Sequence, residues 1–596
     1  MSFGLAIAAA SADVPPSIPA DVWTFDRDTR RARLASAATD LAVTCAGVLF
    51  DRESLARVLG LPFVAPDATL IAAGYERWGL DLFAHLRGAF AIAIVDRLNG
   101  RTILARDQMG LQPLFYALLP DRLLAGSSTR ALSRSPGVSR ELNRLALADA
   151  LCRRFPDVEE TYYQAVRRVP PGSYVLLTAS AHTTHRYWHP LEHTAPSANT
   201  AAEAFEQYET LQRQAVRRCA AVGAPAVFLS GGLDSVGVAA ALADQQAARG
   251  ACPPVAVSLT FPGADCDESG VQRAVAHALR LPHSVMTFGE AVGAEPLIHQ
   301  ATAFNRHLSS PLLNFWRPIH VPLANKGREQ GARTVLTGEG GDEWMMPSDY
   351  TAADLIARGR VFALRRFLRS WGHGERSNGL LWNRGFRPLA GRVLAGIAPE
   401  AWDRRRARRI AEIDPTWIAP DPQLRQAQRS RAHRSLGPAR PRRGFAAADR
   451  EETLQGAFQQ QNQEEWFCQG ELLGMRFLHP YEDVDLVSFF CRLPAVLSNA
   501  GTMVRGLPRR QLAARFPDLG FTRQKKVMAT DFHAETMAQG QRVLQTEQVR
   551  FPWLSELGIV DEALLCRDVQ ESGRLPASRV WQLAGTEAWI RAQVSG

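Results

Sequence analysis

The spacing of hydrophobic residues divides the chain into three stretches. Up to about residue 190, short apolar runs are separated by turn residues, and the runs at 90–96, 102–106 and 114–117 have hairpin spacing. From residue 224, apolar runs alternate with alanine-rich amphipathic segments, and after residue 350 the spacing is mostly helical. The pattern predicts a strand-rich first unit, an alternating second unit and a helical end, with a domain boundary near residue 200.

The alternating stretch predicts a parallel sheet. Strands are expected at 226–229, 255–261, 284–288 and 334–337, and helices at 201–222, 235–249, 270–279 and 318–331. A strand followed by a helix and another strand forms a right-handed βαβ unit, and successive units bury the sheet between helices. We therefore expect an α/β fold with helices on both faces of the sheet.

The segment SGGLDS at 230–235 directly follows one predicted strand and begins a helix. Gly231 and Gly232 allow backbone N–H groups to approach an anion closely, and the helix N-terminus adds partial positive charge. Ser230 and Ser235 offer hydroxyl groups. The G-K-S/T ending of a Walker loop is absent, so the segment predicts a phosphate-binding loop of another kind.

A second loop, GEGGDE at 338–343, also follows a predicted strand. In an open parallel sheet, ligands collect beyond the carboxyl ends of the strands at a topological switch point. Asp234 in the first loop would repel a bare phosphate, and Asp342 in the second would do the same. Both carboxylates are explained if they bind one Mg²⁺ that also contacts the phosphate oxygens.

Together the two loops resemble the synthetase domain of class B asparagine synthetases. LRGAFAIAIVD at 86–96, LARD at 104–107, GLQPLFY at 110–116 and VPPG at 169–172 resemble the glutaminase domain of the same family. The resemblance covers nearly the whole chain. It implies an N-terminal glutaminase-like (Ntn-type) α+β sandwich over 1–200. An ATP-pyrophosphatase-type parallel sheet with a helical C-terminal part would follow over 201–596.

The resemblance also implies the cofactors, ATP and Mg²⁺, and the site residues. Lys525, in RQK at 523–525, is similar to a family lysine that faces pyrophosphate and the activated carboxylate, and Lys526 is the adjacent alternative. Glu339 is the candidate base for the attacking amine. The metal ligands would be Asp234 and Asp342. The residues expected to contact ATP or pyrophosphate are Ser230, Gly231, Gly232, Asp234, Ser235, Ser258, Gly338 and Gly340.

The glutaminase-like region departs from the family pattern. A working member has a cysteine after the initiator Met, with its freed α-amine as base. This chain begins Met1-Ser2-Phe3, so only Ser2 could take that place. The family's R-G-P-D segment has no match in residues 25–45, and its N-G-E segment is replaced by CAG at 45–47. We expect a degenerate glutaminase-like domain.

Without ammonia from glutamine, the nucleophile would be an amine on the substrate itself. Two groups of the superfamily work in this way: β-lactam synthetases, and lasso peptide cyclases, which are macrolactam synthetases. Glu339 stands where β-lactam synthetases carry a tyrosine, and the 355–450 insertion offers more surface than a small metabolite needs. Both features favour a lasso peptide cyclase. Its substrate would be a linear core or precursor peptide, and its partner a leader peptidase or leader-binding protein.

Charge is concentrated in one region. The formal net charge is +9, but residues 355–450 hold 22 arginines, no lysine and seven acidic residues, a balance of +15, so the rest of the chain carries −6. This region is either a set of solvated helix faces or a docking surface for an acidic peptide or partner protein.

The cysteines and the hydropathy pattern predict where the protein is found. Eight scattered cysteines without a C-x-x-C pair, and no apolar run long enough to span a membrane, predict a cytoplasmic protein without a membrane span.

Other functions compete with the cyclase. An ammonia-dependent asparagine synthetase or a β-lactam synthetase would use the same loops. A tRNA-modifying ATP pyrophosphatase would fit the basic charge but leaves the N-terminal half unexplained, and the arginine-rich region lacks the interleaved aromatic residues that stack bases. We therefore expect no nucleic-acid partner. A catalytically dead scaffold is disfavoured because both carboxylate-bearing loops are intact.

Overall fold

Three five-stranded sheets and a large set of helices make up the fold in a computed structural model. It describes residues 4–7, 22–26, 41–155, 157–178, 181–192, 195–371, 375–435, 441–499, 504–524, 536–538, 540, 542, 550–572 and 575–594. None of the helices in these ranges is long and apolar enough to cross a membrane.

The first half of the chain forms two antiparallel sheets. Their strands are β1 (Gly4–Ile7), β2 (Val22–Asp26), β3 (Leu41–Leu49), β4 (Gly88–Asp96), β5 (Arg101–Arg106), β6 (Phe115–Leu118), β7 (Arg122–Gly126), β8 (Arg167–Arg168), β9 (Ser173–Leu177) and β10 (His182–Arg186). One sheet has the order β1-β2-β7-β6-β8 and the other β10-β9-β5-β4-β3. The α-helices of this half are Arg52–Leu59, Asp67–Trp78, Leu82–His85, Thr129–Ser133 and Arg144–Leu151.

The apolar run at 90–96 is explained by burial on both faces of β4. Ala91 and Ala93 pack in the core between the two sheets. Ile92 and Ile94 point the other way, into a core formed with the Asp67–Trp78 helix. Because successive side chains of a strand alternate between faces, a strand covered on both sides reads as a continuous hydrophobic run.

The third sheet is parallel throughout. Its strands are β11 (Pro225–Phe228), β12 (Val255–Thr260), β13 (His283–Thr287), β14 (Thr334–Leu336) and β15 (Arg476–Leu478), in the order β13-β12-β11-β14-β15. The chain runs outward from β11 to β13 and then returns to place β14 on the other side of β11. Residues on opposite faces of the sheet enter two different hydrophobic cores. The predicted fold class is confirmed.

One strand was not predicted. The sequence after residue 350 indicates mostly helices and no particular strand, but β15 pairs with β14 over three residues. A three-residue strand is too short to show a periodicity of its own, so only its neighbours identify it.

Helices cover the parallel sheet and form most of the C-terminal part. Those up to the second loop are Ala201–Ala220, Leu233–Ala248, Ser269–Ala278, Phe288–Val292, Leu297–Phe304, His320–Glu329 and Gly341–Met345. The later ones are Thr351–Ala357, Val361–Ser370, Glu375–Leu380, Arg387–Ile397, Pro399–Ile413, Pro422–Ser435, Phe445–Gln455, Ala457–Leu473, Val484–Arg492, Ala495–Ser498, Gly506–Arg515, Pro552–Glu556, Glu562–Ser572 and Ala577–Val594. A π-helical turn, Leu381–Phe386, leads directly into Arg387–Ile397.

The Ala457–Leu473 helix joins the two halves through buried charge. Glu464 accepts two hydrogen bonds from the Arg168 guanidinium, at 2.7 and 3.1 Å, and Arg106 lies 3.5 Å from the same carboxylate. All three side chains are almost fully buried. One carboxylate of the C-terminal half therefore contacts two buried cations of the sandwich.

Candidate functional site

The two glycine-rich loops meet at the switch point of the parallel sheet. β11 and β14 are adjacent, with Ala226 opposite Val335, and each leads into its loop at the same edge. A Cβ atom built on Gly341 would lie 2.3 Å from Cγ of Asp234, and one on Gly338 would lie 2.9 Å from Cβ of the same aspartate. Glycine is required at both positions because the second loop packs directly on Asp234.

The first loop is ordered by its own serines. The hydroxyl groups of Ser230 and Ser235 are 2.9 Å apart, and the N–H group of Gly232 donates to Ser230 Oγ at 3.3 Å. Ser235 Oγ donates to the carbonyl of Gly232 at 3.1 Å. Gly231 has a φ of +93°, a backbone conformation that favours glycine. These bonds fix the backbone conformation of the loop that follows β11.

Ser258 contacts the residue that precedes this loop. Its hydroxyl group is fully buried and donates to the carbonyl of Leu229 at 2.7 Å, while His283 Nε2 lies 2.8 Å from the same oxygen. The sequence predicts a contact between Ser258 and ATP. The observed contacts tie β12 to Leu229, the residue before the phosphate loop, and the predicted contact with ATP stays a prediction.

Asp234 and Asp342 come together on one guanidinium group. Arg505 forms an ion pair with each, and its Nη1 atom lies 2.6 Å from Asp342 Oδ1. The arginine side chain is 8% exposed. Burial lowers the pKa of Arg505 to about 10, so the group is still protonated at neutral pH. The two carboxylates are thus close enough to share one cation.

This arrangement fits the predicted Mg²⁺ site. One guanidinium already reaches both carboxylates, and oxygen is the ligand that Mg²⁺ prefers. Within the described ranges, no group of three or more His, Cys, Asp or Glu side chains could hold a metal ion. Mg²⁺ often binds through one or two carboxylates together with substrate phosphates, and the pair Asp234 and Asp342 matches that mode.

Glu339, in the same loop as Asp342, ends a chain of hydrogen bonds. Its Oε1 atom accepts from the side-chain amide of Asn462 at 2.7 Å. The carbonyl of the same amide accepts from Arg317 Nη2, also at 2.7 Å, and Arg317 in turn pairs with Glu465. Because the guanidinium can only donate, it orients the Asn462 amide with its NH₂ group toward Glu339.

A buried carboxyl group supports the second loop from below. Glu482 accepts hydrogen bonds from Trp344 Nε1 at 3.1 Å and from the amide of Gln459 at 3.0 Å. Burial raises its pKa well above the ordinary value, and the charges of Glu343 and Glu339 raise it further. Burial thus favours the neutral form of this carboxyl group, which lies beneath Gly340.

The predicted lysine segment approaches the first loop through Gln524. Its side-chain amide donates to the carbonyl of Gly231 at 3.0 Å and to Glu268 at 2.9 Å. Burial raises the pKa of Glu268. Lys525 and Lys526 follow immediately but lie outside the described residues, as does Ser2. The role of both lysines stays a prediction.

Comparison with known families agrees with the geometry. A family model for asparagine synthase matches residues 207–591, well over half of the chain. The chain belongs to the asparagine synthase family. A model for a glutamine amidotransferase domain matches residues 33–188. The predicted membership of the class B asparagine synthetase superfamily is confirmed.

Curated relatives of the family share about half of this chain. Amidase chyE of Penicillium rubens is 27% identical over 329 residues, covering 52% of this chain and 48% of the relative. A putative glutamine-hydrolyzing asparagine synthetase of Mycobacterium tuberculosis is 29% identical over 289 residues, covering 46% and 42%. The carboxyethyl-arginine beta-lactam-synthase of Streptomyces clavuligerus is 29% identical over 320 residues, covering 53% and 57%. The chain therefore spans about half the length of these relatives.

Among solved structures, the glutamine phosphoribosylpyrophosphate amidotransferase of B. subtilis is 15% identical and covers 51% of this chain and 62% of its own. Its TM-score of 0.19 is too low to support any argument.

Three site residues were missed by sequence reasoning: Arg505, Asn462 and Glu482. Each comes from the helical C-terminal part, more than a hundred residues after the second loop, and none belongs to a recognisable local motif. The only available signal was chemical, since two converging aspartates require a cation when no ligand is bound.

Replacing Arg505 with methionine is expected to slow ATP-dependent pyrophosphate exchange. The variant loses a buried cation that faces both aspartates, and loss of one fixed charge-stabilising donor at a reacting site typically costs about 10²-fold. Arg505→Lys should retain part of the rate. Arg515→Met, on the same helix but in an exposed ion pair with Asp244, is the matched control. A rate equal to or above that of the unaltered protein would show that Arg505 only obstructs the metal site.

Replacing Asn462 with leucine is expected to slow amide formation more than pyrophosphate exchange. The variant keeps the side-chain size but removes the hydrogen bond to Glu339. Loss of one buried partner costs on the order of 1–3 kcal/mol, or about 5- to 150-fold in rate. Single-turnover measurement of both steps separates them. Gln330→Leu, which removes an exposed amide contact with Ser284, should change neither. Equal slowing of both steps would argue against a role through Glu339.

Proposed function

We propose that the protein is an ATP-dependent amide-forming ligase that releases AMP and pyrophosphate. The observation that carries the proposal is the convergence of Asp234 and Asp342 at the ends of two adjacent parallel strands, with Glu339 in the same loop as Asp342. A carbon–nitrogen ligase of this class needs a site for a charged leaving group next to a base. The family match and the relatives named as synthetases support the same chemistry.

In the proposed reaction, the phosphates of ATP bind the 230–235 loop. A carboxylate oxygen of the substrate attacks the α-phosphorus, pyrophosphate leaves and an acyl-adenylate forms. An amine then attacks the acyl carbon, AMP leaves with the former carboxylate oxygen, and Glu339 accepts the amine proton. Mg²⁺ bound by Asp234 and Asp342 would neutralise charge on the leaving pyrophosphate. Lys525, or Lys526 beside it, would face the same oxygens.

We further propose that the substrate is a linear peptide and that the product is a lasso peptide. The side-chain carboxylate of an Asp or Glu would be adenylated, and the N-terminal amine of the peptide would close the ring. Glu339 in place of a tyrosine, and the long insertion at 355–450, support a peptide over a small metabolite. A leader peptidase or leader-binding protein would deliver the substrate.

The N-terminal half is proposed to be a scaffold, with domains at 1–200 and 201–596. The cysteine in the CAG segment, Cys45, lies within β3 opposite Ile92. Burial, followed by the charge of Asp67, raises the pKa of Cys45 to about 12. The thiol therefore stays protonated, and it would be a poor nucleophile.

A β-lactam synthetase is the second candidate. The relative from Streptomyces clavuligerus bears that name, and the match covers 57% of its length. Such an enzyme would also use an amine on its own substrate, so the degenerate glutaminase region fits both candidates.

One set of incubations separates these functions. The pure protein is mixed with Mg-ATP and, in turn, a linear core peptide, carboxyethyl-arginine, aspartate with ammonium, and RNA. Of these four, we expect only the linear core peptide to react. It should lose the mass of one water, with AMP and pyrophosphate formed in equal amounts. Formation of AMP with aspartate or carboxyethyl-arginine, and none with peptide, would overturn the lasso proposal.

A further inference from the structure

An apolar stripe lies exposed on the 381–397 helix. Trp382, Phe386, Val393 and Ile397 follow one another at intervals of four, seven and four residues, which places them on one helix face. Trp382 is 66% exposed and Ile397 is 79% exposed. Scattered surface hydrophobic residues need no explanation, but four on one helix face form a candidate interaction surface.

The opposite face of this helix is packed. A Cβ atom on Gly385 would lie 3.0 Å from Ile356, and one on Gly391 would lie 2.6 Å from Trp402. Neighbouring helices therefore approach at the two glycines and fix the helix in place. The stripe is left facing outward, uncovered by any part of the chain that the structure describes.

Positive charge flanks the stripe. At 100° per residue, Arg387 and Arg392 fall on its two sides, and neither forms an ion pair within the described part of the chain. The stripe also lies within the 355–450 region, whose balance is +15. An occupant must therefore be apolar along one face and acidic beside it.

The helix is also linked to the candidate site. Arg384, on the turn that carries Trp382, donates to the Tyr350 hydroxyl group at 2.6 Å, and its guanidinium lies 4.8 Å from the centre of that ring. Tyr350 follows the Gly341–Met345 helix, which begins in the GEGGDE loop. At 100° per residue Arg384 lies on the face opposite the stripe, so its contact with Tyr350 fixes the back of the helix toward the second loop and leaves the stripe facing outward.

We propose that the stripe and its flanking arginines dock an acidic amphipathic segment of the peptide substrate. The stripe binds the apolar face of the segment, and Arg387 and Arg392 bind its carboxylates. This inference rests on the proposed peptide substrate and assigns the docking step to a surface outside the catalytic rim. Charge disfavours a second copy of the chain as the occupant, because pairing of two stripes would bring their flanking arginines together.

The test uses the full-length protein and a fluorescent synthetic peptide with leucines on one helical face and glutamates on the other. We expect saturable binding that weakens with added salt, since exposed charges are screened beyond about 8 Å at physiological ionic strength. Trp382→Ser combined with Ile397→Ser should weaken binding by at least about tenfold, as anchor residues do at interfaces. Arg387→Glu combined with Arg392→Glu should do the same.

Two matched variants control for nonspecific effects. Ile413→Ser removes an exposed apolar residue off the stripe, and Arg249→Glu reverses a distant exposed charge; both should bind normally. Circular dichroism confirms that each variant is folded. Equal binding of a peptide with lysines in place of glutamates would overturn the proposal, and so would unchanged binding by the stripe variants.

Two further outcomes would identify another occupant and also overturn the proposal. One is binding of the protein to phosphatidylserine-containing vesicles without binding of the peptide. The other is a dimer that the stripe variants abolish. ATP-dependent pyrophosphate exchange is measured in parallel with the linear core peptide as the carboxylate donor. Normal exchange without binding of the synthetic amphipathic peptide refutes docking alone, whereas binding of that peptide without exchange refutes the proposed activity.

Discussion

Replacing Asp234 with alanine is expected to lower the rate of AMP formation by about 10³-fold, the upper range for loss of one preorganised electrostatic contact in a reacting site. Two losses combine in this variant. One of the two carboxylates that would hold Mg²⁺ is removed, and Arg505 then pairs with Asp342 alone. Its positive charge is redirected away from the phosphate loop. The measurement is AMP released per enzyme at saturating Mg-ATP and peptide.

The control for this variant is Asp244→Ala on the same helix. Asp244 lies more than two turns further along, in an exposed ion pair with Arg515. Its loss should change the rate by no more than about twofold, because exposed ion pairs contribute about 0–1 kcal/mol. Near-normal AMP formation by Asp234→Ala would refute the assignment of the 230–235 loop, whatever the substrate proves to be.

Replacing Glu464 with alanine is expected to lower the free energy of unfolding by about 3–5 kcal/mol, the usual cost of leaving buried charges without their partner. Arg106 and Arg168 would remain buried without this partner. Urea titration followed by tryptophan fluorescence provides the measurement.

Glu329→Ala is the matched control for this second variant. Its exposed ion pair with Lys326 should contribute less than about 1 kcal/mol. A Glu464→Ala protein as stable as this control would indicate that the two halves are held together by apolar packing alone. It would also weaken the proposal that the N-terminal half is kept as a scaffold.

The parallel sheet and its loops could be predicted because their signals are local. Each strand is a short apolar run, and each loop combines glycines with carboxylates directly after a strand. Adjacency of β11 and β14 follows from the rule that ligand loops meet at a switch point. Close packing of Gly338 and Gly341 on Asp234 is the structural counterpart of that pattern.

The rest of the site could not be predicted because it depends on distant packing. Arg505 has a φ of +61° at the start of its helix, and nothing in the neighbouring residues indicates a contact with two aspartates. Asn462 sits in a glutamine-rich helix whose polar residues read as a solvated face, yet most are buried against the loops and the sandwich. Burial of a polar helix face becomes visible only when its partners are in place.

Transfer of oxygen from substrate to nucleotide tests the central claim most directly. The peptide is prepared with oxygen-18 in its side-chain carboxylate and incubated with the enzyme and Mg-ATP. Adenylation of that carboxylate predicts one heavy oxygen in AMP for each amide bond formed, and none in pyrophosphate. AMP without the label, or release of ADP and labelled phosphate, would contradict the proposed reaction.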